Sequence, residues 1–247
     1  MGEQWDYTKL AAHYLKRPDY AAAAIDQLCE LALIQPGALV CDVGAGSGHL
    51  TKELVARGYV VTAVEPNAAM REVGESVTRD KGVRWFTGTG EQTGQPDHVF
   101  DMVTFGSSFN TTDRSASLKE TARILKPRAW FACLWNHRDL TDPIQAAVED
   151  FIKSSIAGYG YGSRREDQTE VINGSGLFEP VQFLEASYVA TLATVDYVGA
   201  WRSHATLAQQ AGDKFPSIIS GIERLVAPNG GTLQVRYTTR LWAARLK

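Results

Sequence analysis

Residues 42–54 read DVGAGSGHLTKEL and follow directly on the apolar run ALVC. Gly44, Gly46 and Gly48 fall within a few positions of one another, and bare backbone of this kind lets a ligand come close. Three kinds of ligand compete for such a loop: a nucleoside triphosphate, a dinucleotide pyrophosphate, and a group carrying positive charge. A triphosphate loop needs a lysine at GxxxxGK[ST] spacing, which this stretch lacks. The dinucleotide fingerprint GxGxxG asks for a glycine three residues after its second. Gly44 and Gly46 suit its first two positions, but position 49 is His and the third glycine stands at 48.

Charge narrows the choice. Asp42, two residues before Gly44, is expected to aim its carboxylate into the mouth of the loop. Beside a pyrophosphate it would repel, whereas beside an ammonium or sulfonium ion it would attract. Glu65 ends the next strand about 20 residues after Gly44, where α/β nucleotide folds place the carboxylate that accepts both ribose hydroxyls. A ribose-bearing ligand with a cationic tail is S-adenosylmethionine.

Methyl transfer from a sulfonium carbon is an in-line displacement in which charge disperses. Alignment and exclusion of water then matter most. A base is needed only where the acceptor must lose its proton early. An amine attacks unaided, while a phenol or alcohol gains from His, Glu or Asp. His137, after the fifth strand in LWNHRD, is a candidate base, or else a hydrogen-bonding partner of its loop and Asp139. His204, in WRSHATL, can reach a pocket from a lid. Tyr7 with Trp5 and Tyr14 makes a helix-spaced aromatic stripe, either packing or recognition. Tyr159, Tyr161, Arg164 and Arg165 form either a pocket edge or a glycine-rich solvent loop. The five histidines never pair at metal-ligand spacing, so no metal site is expected.

These residues need a scaffold. Strand-like and helix-like runs alternate, the pattern of a parallel sheet covered on both faces. Residues 19–33 read as a helix capped by Asp19 and closed by Pro36-Gly37. ALVCDVG is the first strand, 48–57 a helix, 59–65 the second strand and AAMREVGESV the next helix. VRWF, 100–106 and 129–136 read as further strands, with helices at 115–125 and 142–157. PVQFLEASYVATLA and 233–246 read as two long strands separated by a mostly helical insertion, 194–231. That insertion suits a lid or substrate wall, or plain packing or an oligomer contact. A single domain over 1–247 is expected: an N-terminal helical cap at 1–35, a cofactor-binding core at 36–136, a helix and Gly/Tyr-rich loop at 137–176, and the insertion.

Composition sets the boundaries. A net charge of −3 with no Lys/Arg stripe argues against nucleic-acid partners. The three cysteines show no CxxC spacing and read as reduced core residues of a cytoplasmic protein. No apolar run reaches membrane-spanning length, and MGEQWDYTKL lacks a signal core.

DVGAGSG with Glu65 at the next strand end resembles the class I S-adenosylmethionine-dependent methyltransferases, in their small-molecule, type 11 branch. AAHYLKRPDY, FGSSFNTTD, ILKP, LWNHRD and RYTTRLWAARL have counterparts there, so the likeness spans nearly the whole chain. It implies a Rossmann-like, mostly parallel seven-stranded sheet whose last strand runs antiparallel between the fifth and sixth. It also implies that Asp42, Gly44, Gly46 and Gly48 surround the methionine part of the cofactor and that Glu65 holds the ribose. Gly90 and Glu91 would edge the adenine, with Thr89 where many relatives carry Asp. Phe105 and Gly106 would line the methyl-donor side, and Tyr14 and Arg17 the cofactor carboxylate. Asn110 stands where relatives carry a histidine or other polar group facing the acceptor. An amide orients but cannot take a proton, which favours an amine acceptor in secondary-metabolite chemistry, with an oxygen acceptor and His137 as base the alternative. The expected partner is a small molecule, with a homo-oligomer possible. A nucleic-acid enzyme would carry Asn/Asp-Pro-Pro-aromatic where FGSS stands. A non-catalytic cofactor binder is the remaining class.

Overall fold

The apolar runs become seven strands of one sheet in the computed structural model, which describes residues 11–161 and 165–247. Trp5, Tyr7 and Arg164 therefore lie outside the described residues. The strands are β1 (Leu39–Val43), β2 (Val60–Val64), β3 (Arg84–Phe86), β4 (Phe100–Gly106), β5 (Leu125–Arg138), β6 (Gln182–Ala193) and β7 (Thr232–Arg245). Their spatial order is β3-β2-β1-β4-β5-β7-β6. Neighbours from β3 to β5 pair parallel, and β7 runs antiparallel to both β5 and β6. The order reverses between β1 and β4, and at such a switch point the loops leaving the carboxyl ends of the strands splay apart to make a crevice.

The two-residue period of the strands sorts their side chains onto two faces. Val40, Val61, Met102, Ala132, Leu134 and Leu241 pack with Ile25 and Leu28 of α2 (Ala22–Ala32) and with Leu50 and Leu54 of α3 (His49–Ala56). Their neighbours Cys41, Val103, Phe131, Cys133 and Trp242 pack on the other side with Leu118 of α5 (Arg114–Ile124) and Ile172 of α7 (Thr169–Gly174). Cys41 and Cys133 are thus buried core residues. Phe105, Phe109 and Phe131 meet edge to face with centroids 5.4–5.8 Å apart, an arrangement that adds to area burial.

α1 (Ala11–Tyr14) and a short turn lead into α2. Asp19 does not cap α2. The N-cap is Ala21, with no side-chain bond, while the Asp19 carboxylate pairs with Lys52 on α3 at 2.7 Å. A partner thirty residues downstream outcompetes the local cap. α4 (Ala68–Val77) follows β2. Strand β5 starts earlier than its apolar run suggests, because Leu125 already pairs with Phe100 before the register shifts. Pro127 sits in that irregular stretch, where a missing N–H is tolerated.

A third apolar cluster joins α6 (Pro143–Ser155) to α8 (Thr194–Arg202), α9 (Ala205–Ala211) and α10 (Phe215–Val226), all three of the latter lying between β6 and β7. Asp142 caps α6 by accepting from the Ile144 and Gln145 N–H groups, and its second oxygen accepts from Arg236 N–H on β7. α6, on which the insertion packs, is therefore anchored to β7.

Candidate active site

The glycine loop is shaped by its neighbours. Gly44 and Ala45 donate N–H bonds to the Val64 carbonyl at 2.8 and 3.1 Å. Gly44 has φ +65°, and a Cβ there would lie 2.5 Å from Ser108 Cβ. Any other residue would push away the turn after β4, whose Ser108 hydroxyl donates to the Val43 carbonyl at 2.7 Å. The crevice widens into a cavity of about 760 Å³, within the range of pockets that enclose small molecules.

Glu65 is 6% exposed and lies in the cavity wall. Its two oxygens accept from Gly46 N–H and Asn67 N–H, both at 2.9 Å. Burial raises its pKa against the lowering effect of those two bonds. A carboxylate offers about four lone-pair sites, so two remain, enough for a vicinal diol.

Asp42 corrects an expectation. Its carboxylate is fully buried in the cavity wall rather than projecting into the mouth. It accepts from the hydroxyls of Thr51 at 2.6 Å and Thr104 at 3.1 Å. Burial pushes it up to about 7, with the nearby Glu65 charge acting in the same direction. The parallel pairing of β1 with β4, which puts Asp42 opposite Thr104, brings the two side chains together. His49 occupies the position where a dinucleotide loop carries glycine. It also lies in the wall, its ring bridging the Ser47 hydroxyl at 2.9 Å and the Arg17 carbonyl at 3.2 Å. Burial lowers its pKa to about 4, so the imidazole is neutral at pH 7 and adds no positive charge for a phosphate.

Most of the remaining candidate positions share this cavity. Gly46, Gly90, Glu91, Phe105 and Gly106 lie along its wall, as do Tyr14, Arg17 and His137. Arg17 is no solvated surface charge. Its guanidinium lies 3.9 Å over the Tyr14 ring and donates to the Ser203 hydroxyl and carbonyl at 2.8 and 2.7 Å. Those bonds tie the segment before α2 to the turn between α8 and α9. Glu91 accepts from Asp113 N–H at 2.7 Å and so anchors the start of α5.

Two candidates fall elsewhere. Gly48 is the N-cap of α3, with φ +82°, and packs toward Val77 of α4. It serves the strand–helix turn rather than the cavity wall. Asn110 also lies outside the wall. Its amide oxygen accepts from Trp135 Nε1 at 3.0 Å, and the ring it holds lines the cavity in its place.

Another part of the cavity contains groups that were not among the expected site residues. Arg138 and Tyr237, paired across β5 and β7, line the cavity together with Tyr197 and Trp201 of α8. Tyr161, Arg165 and His204, which were open as pocket edge or lid, join them there. The Arg138 guanidinium stacks 3.7 Å over the Trp201 ring, and that of Arg165 stacks 3.9 Å over Tyr161. LWNHRD was a signal for Arg138. Tyr197, Trp201 and Tyr237 come from distant segments and reach the cavity only by folding.

The donor set suits S-adenosylmethionine. Backbone glycines allow close approach, the half-used Glu65 carboxylate has acceptor positions left for a diol, and the Asp42 carboxyl lies in the same wall. Among the described residues no group of three or more His, Cys, Asp or Glu could hold a metal, and no helix is long and apolar enough to cross a membrane.

Comparison with known proteins agrees with the fold. The family described as a methyltransferase domain matches residues 41–133. An uncharacterised methyltransferase of Mycobacterium bovis is 33% identical over 130 residues, covering 53% of this chain and 51% of the relative. The ubiquinone/menaquinone biosynthesis C-methyltransferase UbiE of Shewanella frigidimarina is 38% identical over 107 residues, 40% of this chain and 42% of that one. The chain thus spans about half the length of the curated relatives it matches. A solved phosphoethanolamine N-methyltransferase of Haemonchus contortus, in complex with S-adenosyl-L-methionine, superposes with a TM-score of 0.58 at 12% identity, covering 99% of this chain and 58% of the other. Residues 41–133 are similar to a methyltransferase domain, and the sheet with its helices shares its fold with a solved methyltransferase.

Proposed function

We propose that this chain transfers the methyl group of S-adenosylmethionine to an oxygen nucleophile of a small molecule. The observation that carries the reading is a continuous cavity with Glu65 and the glycine loop at one end and His137, Arg138 and Tyr237 at the other. When bound, the cofactor supplies an electrophilic methyl group on a sulfonium centre. Glu65 would hold its ribose, Gly44 and Gly46 would admit its methionine part, and Gly90 and Glu91 would border its adenine. Asp42 would offer negative charge to its cationic tail, and Arg17 and Tyr14 would face its carboxylate. Phe105, Gly106 and Trp135 would keep the reacting line dry, since water excluded from such a site strengthens every remaining dipole.

The reason to expect nitrogen was the amide of Asn110, and that amide is engaged by Trp135. His137 is a cavity-lining group able to take a proton from a hydroxyl, with His204 another in the same wall, and the two guanidiniums nearby favour an oxygen that becomes anionic over an ammonium. An amine acceptor in secondary-metabolite chemistry is the competing reading, and carbon is a third outcome, given the C-methyltransferase relative.

Mass detection of methylated products from matched phenol, carboxylate, amine and carbon-acid panels separates these readings. Oxygen products support the proposal, and exclusive nitrogen or carbon products overturn it. For a phenolic acceptor, H137A is expected to lower kcat by about 10²-fold at pH 7, the usual contribution of a positioned base. Activity should return as pH approaches the acceptor's own pKa. An H137A enzyme that is unaffected, or is impaired equally at every pH, removes His137 from that role.

A further inference from the structure

Resting on the reading that the chamber beside His137 holds the acceptor, we propose that Arg138 is a substrate-anchoring residue whose free guanidinium edge binds a carboxylate of a flat acceptor.

Arg138 is inward-facing, its side chain 10% exposed, yet its guanidinium is only partly employed. Nη2 donates to the Tyr161 hydroxyl, while Nη1 is buried and meets no hydrogen-bond partner among the described residues, the Tyr159 hydroxyl being the phenol that otherwise interacts with this guanidinium. A buried, unsatisfied charged donor is strongly disfavoured unless something completes it. Its nearest counter-charge does not do so. Glu149, 3% exposed on α6, stands 3.7 Å from Nη2, and its other oxygen faces Lys153 at 3.3 Å. The Tyr161 hydroxyl also donates to Glu149. One carboxylate therefore serves two cations and a phenol. Arg165, in the same wall, adds a further positive charge over Tyr161.

The surroundings specify the rest of the ligand. Trp201 lies under the guanidinium plane at 3.7 Å and stacks with His204 at 5.2 Å between centroids. With both Trp201 faces covered, Tyr197 and Tyr237 in the same wall are the rings that favour a planar ligand body, and an arginine edge matches the fork of a carboxylate. The anchored carboxylate is distinct from the attacking atom. Pairing with arginine stabilises its charge and so makes it a poorer nucleophile. The substrate class is thus a small, flat acid carrying a separate methyl-accepting group.

The test is calorimetric titration of the enzyme saturated with S-adenosylhomocysteine. The probes are benzoate, 4-hydroxybenzoate, cinnamate and indole-3-acetate, each against its neutral amide. At least one acid should bind about tenfold or more tightly than its amide, the scale of one charge-assisted hydrogen bond. R138Q should abolish that preference while S-adenosylhomocysteine affinity stays unchanged. R138K keeps a cation beside Glu149, which protects the fold, but has no second nitrogen to offer, and should lose most of the preference. Equal affinity for every acid and its amide overturns the proposal, as does a preference that survives in R138Q or R138K. Failure of the wild-type protein to bind S-adenosylhomocysteine would instead overturn the methyl-transfer reading itself.

Discussion

Replacing Glu65 by alanine is expected to weaken S-adenosylmethionine and S-adenosylhomocysteine binding by about 10²- to 10³-fold. The ribose diol would present two hydroxyls to the two lone-pair positions that Gly46 N–H and Asn67 N–H leave unused. Hydrogen bonds to a charged group contribute about 1.5–3 kcal/mol each, and two of them near the lower end of that scale account for the expected loss. The alanine variant also releases Gly46 N–H, so the loop loses the strut that fixes its shape before ligand arrives. E65Q separates the two effects. It keeps one acceptor oxygen for one N–H, while its amide nitrogen meets the other N–H head-on. Nearly the same loss of affinity is therefore expected despite almost unchanged volume. Both variants should unfold within about 2 kcal/mol of the wild type, because the orphaned donors face the open cavity and can bond water. Titration calorimetry with S-adenosylhomocysteine checks the first claim and urea unfolding the second. Undiminished affinity in E65A would remove Glu65 from the ribose position.

The contrast between Glu65 and Asn110 shows what was legible before any coordinates. Val60–Val64 with Glu65 after it, and Leu39–Val43 with the glycines after it, are local patterns. Their apolar runs demand strands, and parallel pairing between them brings Glu65 and Gly46 into contact. The topology followed in the same way, since strand–helix alternation leaves few arrangements of a parallel sheet. Asn110 is different, because its role depends on which distant side chain reaches it first, and Trp135 does. The same holds for Asp19, taken from its helix by Lys52, and for Gly48, which spacing alone could not distinguish from the two glycines facing the cavity. The part of the cavity around Arg138 was the least legible. Arg138, Tyr197, Trp201 and Tyr237 share no spacing rule, and only the return of β7 between β5 and β6 puts Tyr237 beside Arg138. Its aromatic residues read equally well as core until the surface they enclose is known.

Asp42 yields the second large effect, because its burial gives it opposite influences on stability and on binding. Its carboxyl rises from an ordinary 3.8 to about 7, which corresponds to roughly 4 kcal/mol favouring the protonated native form. Below pH 3.8 both folded and unfolded chains hold this proton and the residue is neutral to stability. Between 3.8 and 7 the unfolded chain releases it while the native protein keeps it, so rising pH destabilises the fold. Above 7 the full penalty is in place. D42N removes the charge, and the Thr51 and Thr104 hydroxyls can rotate to suit an amide. The ligand-free variant should therefore gain stability relative to wild type on going from pH 4 to pH 8, by up to about 4 kcal/mol less any mismatch at the hydroxyls. Binding should move the other way. Attraction to the cationic tail requires the ionised form, whose fraction rises about tenfold between pH 6 and pH 8 for a group titrating near 7. Wild-type affinity for S-adenosylmethionine should climb by about that factor relative to D42N, and D42N should bind about 10- to 10²-fold more weakly at pH 8. The amino group of the ligand titrates identically with both proteins, so their difference isolates Asp42. His49, already neutral throughout this window, does not contribute. Paired urea unfolding and calorimetry at pH 6 and pH 8 measure both signs. A variant that is less stable at pH 8 yet binds the cofactor normally would make Asp42 a structural acid, and the charge argument for a cationic methyl donor would then lose its basis.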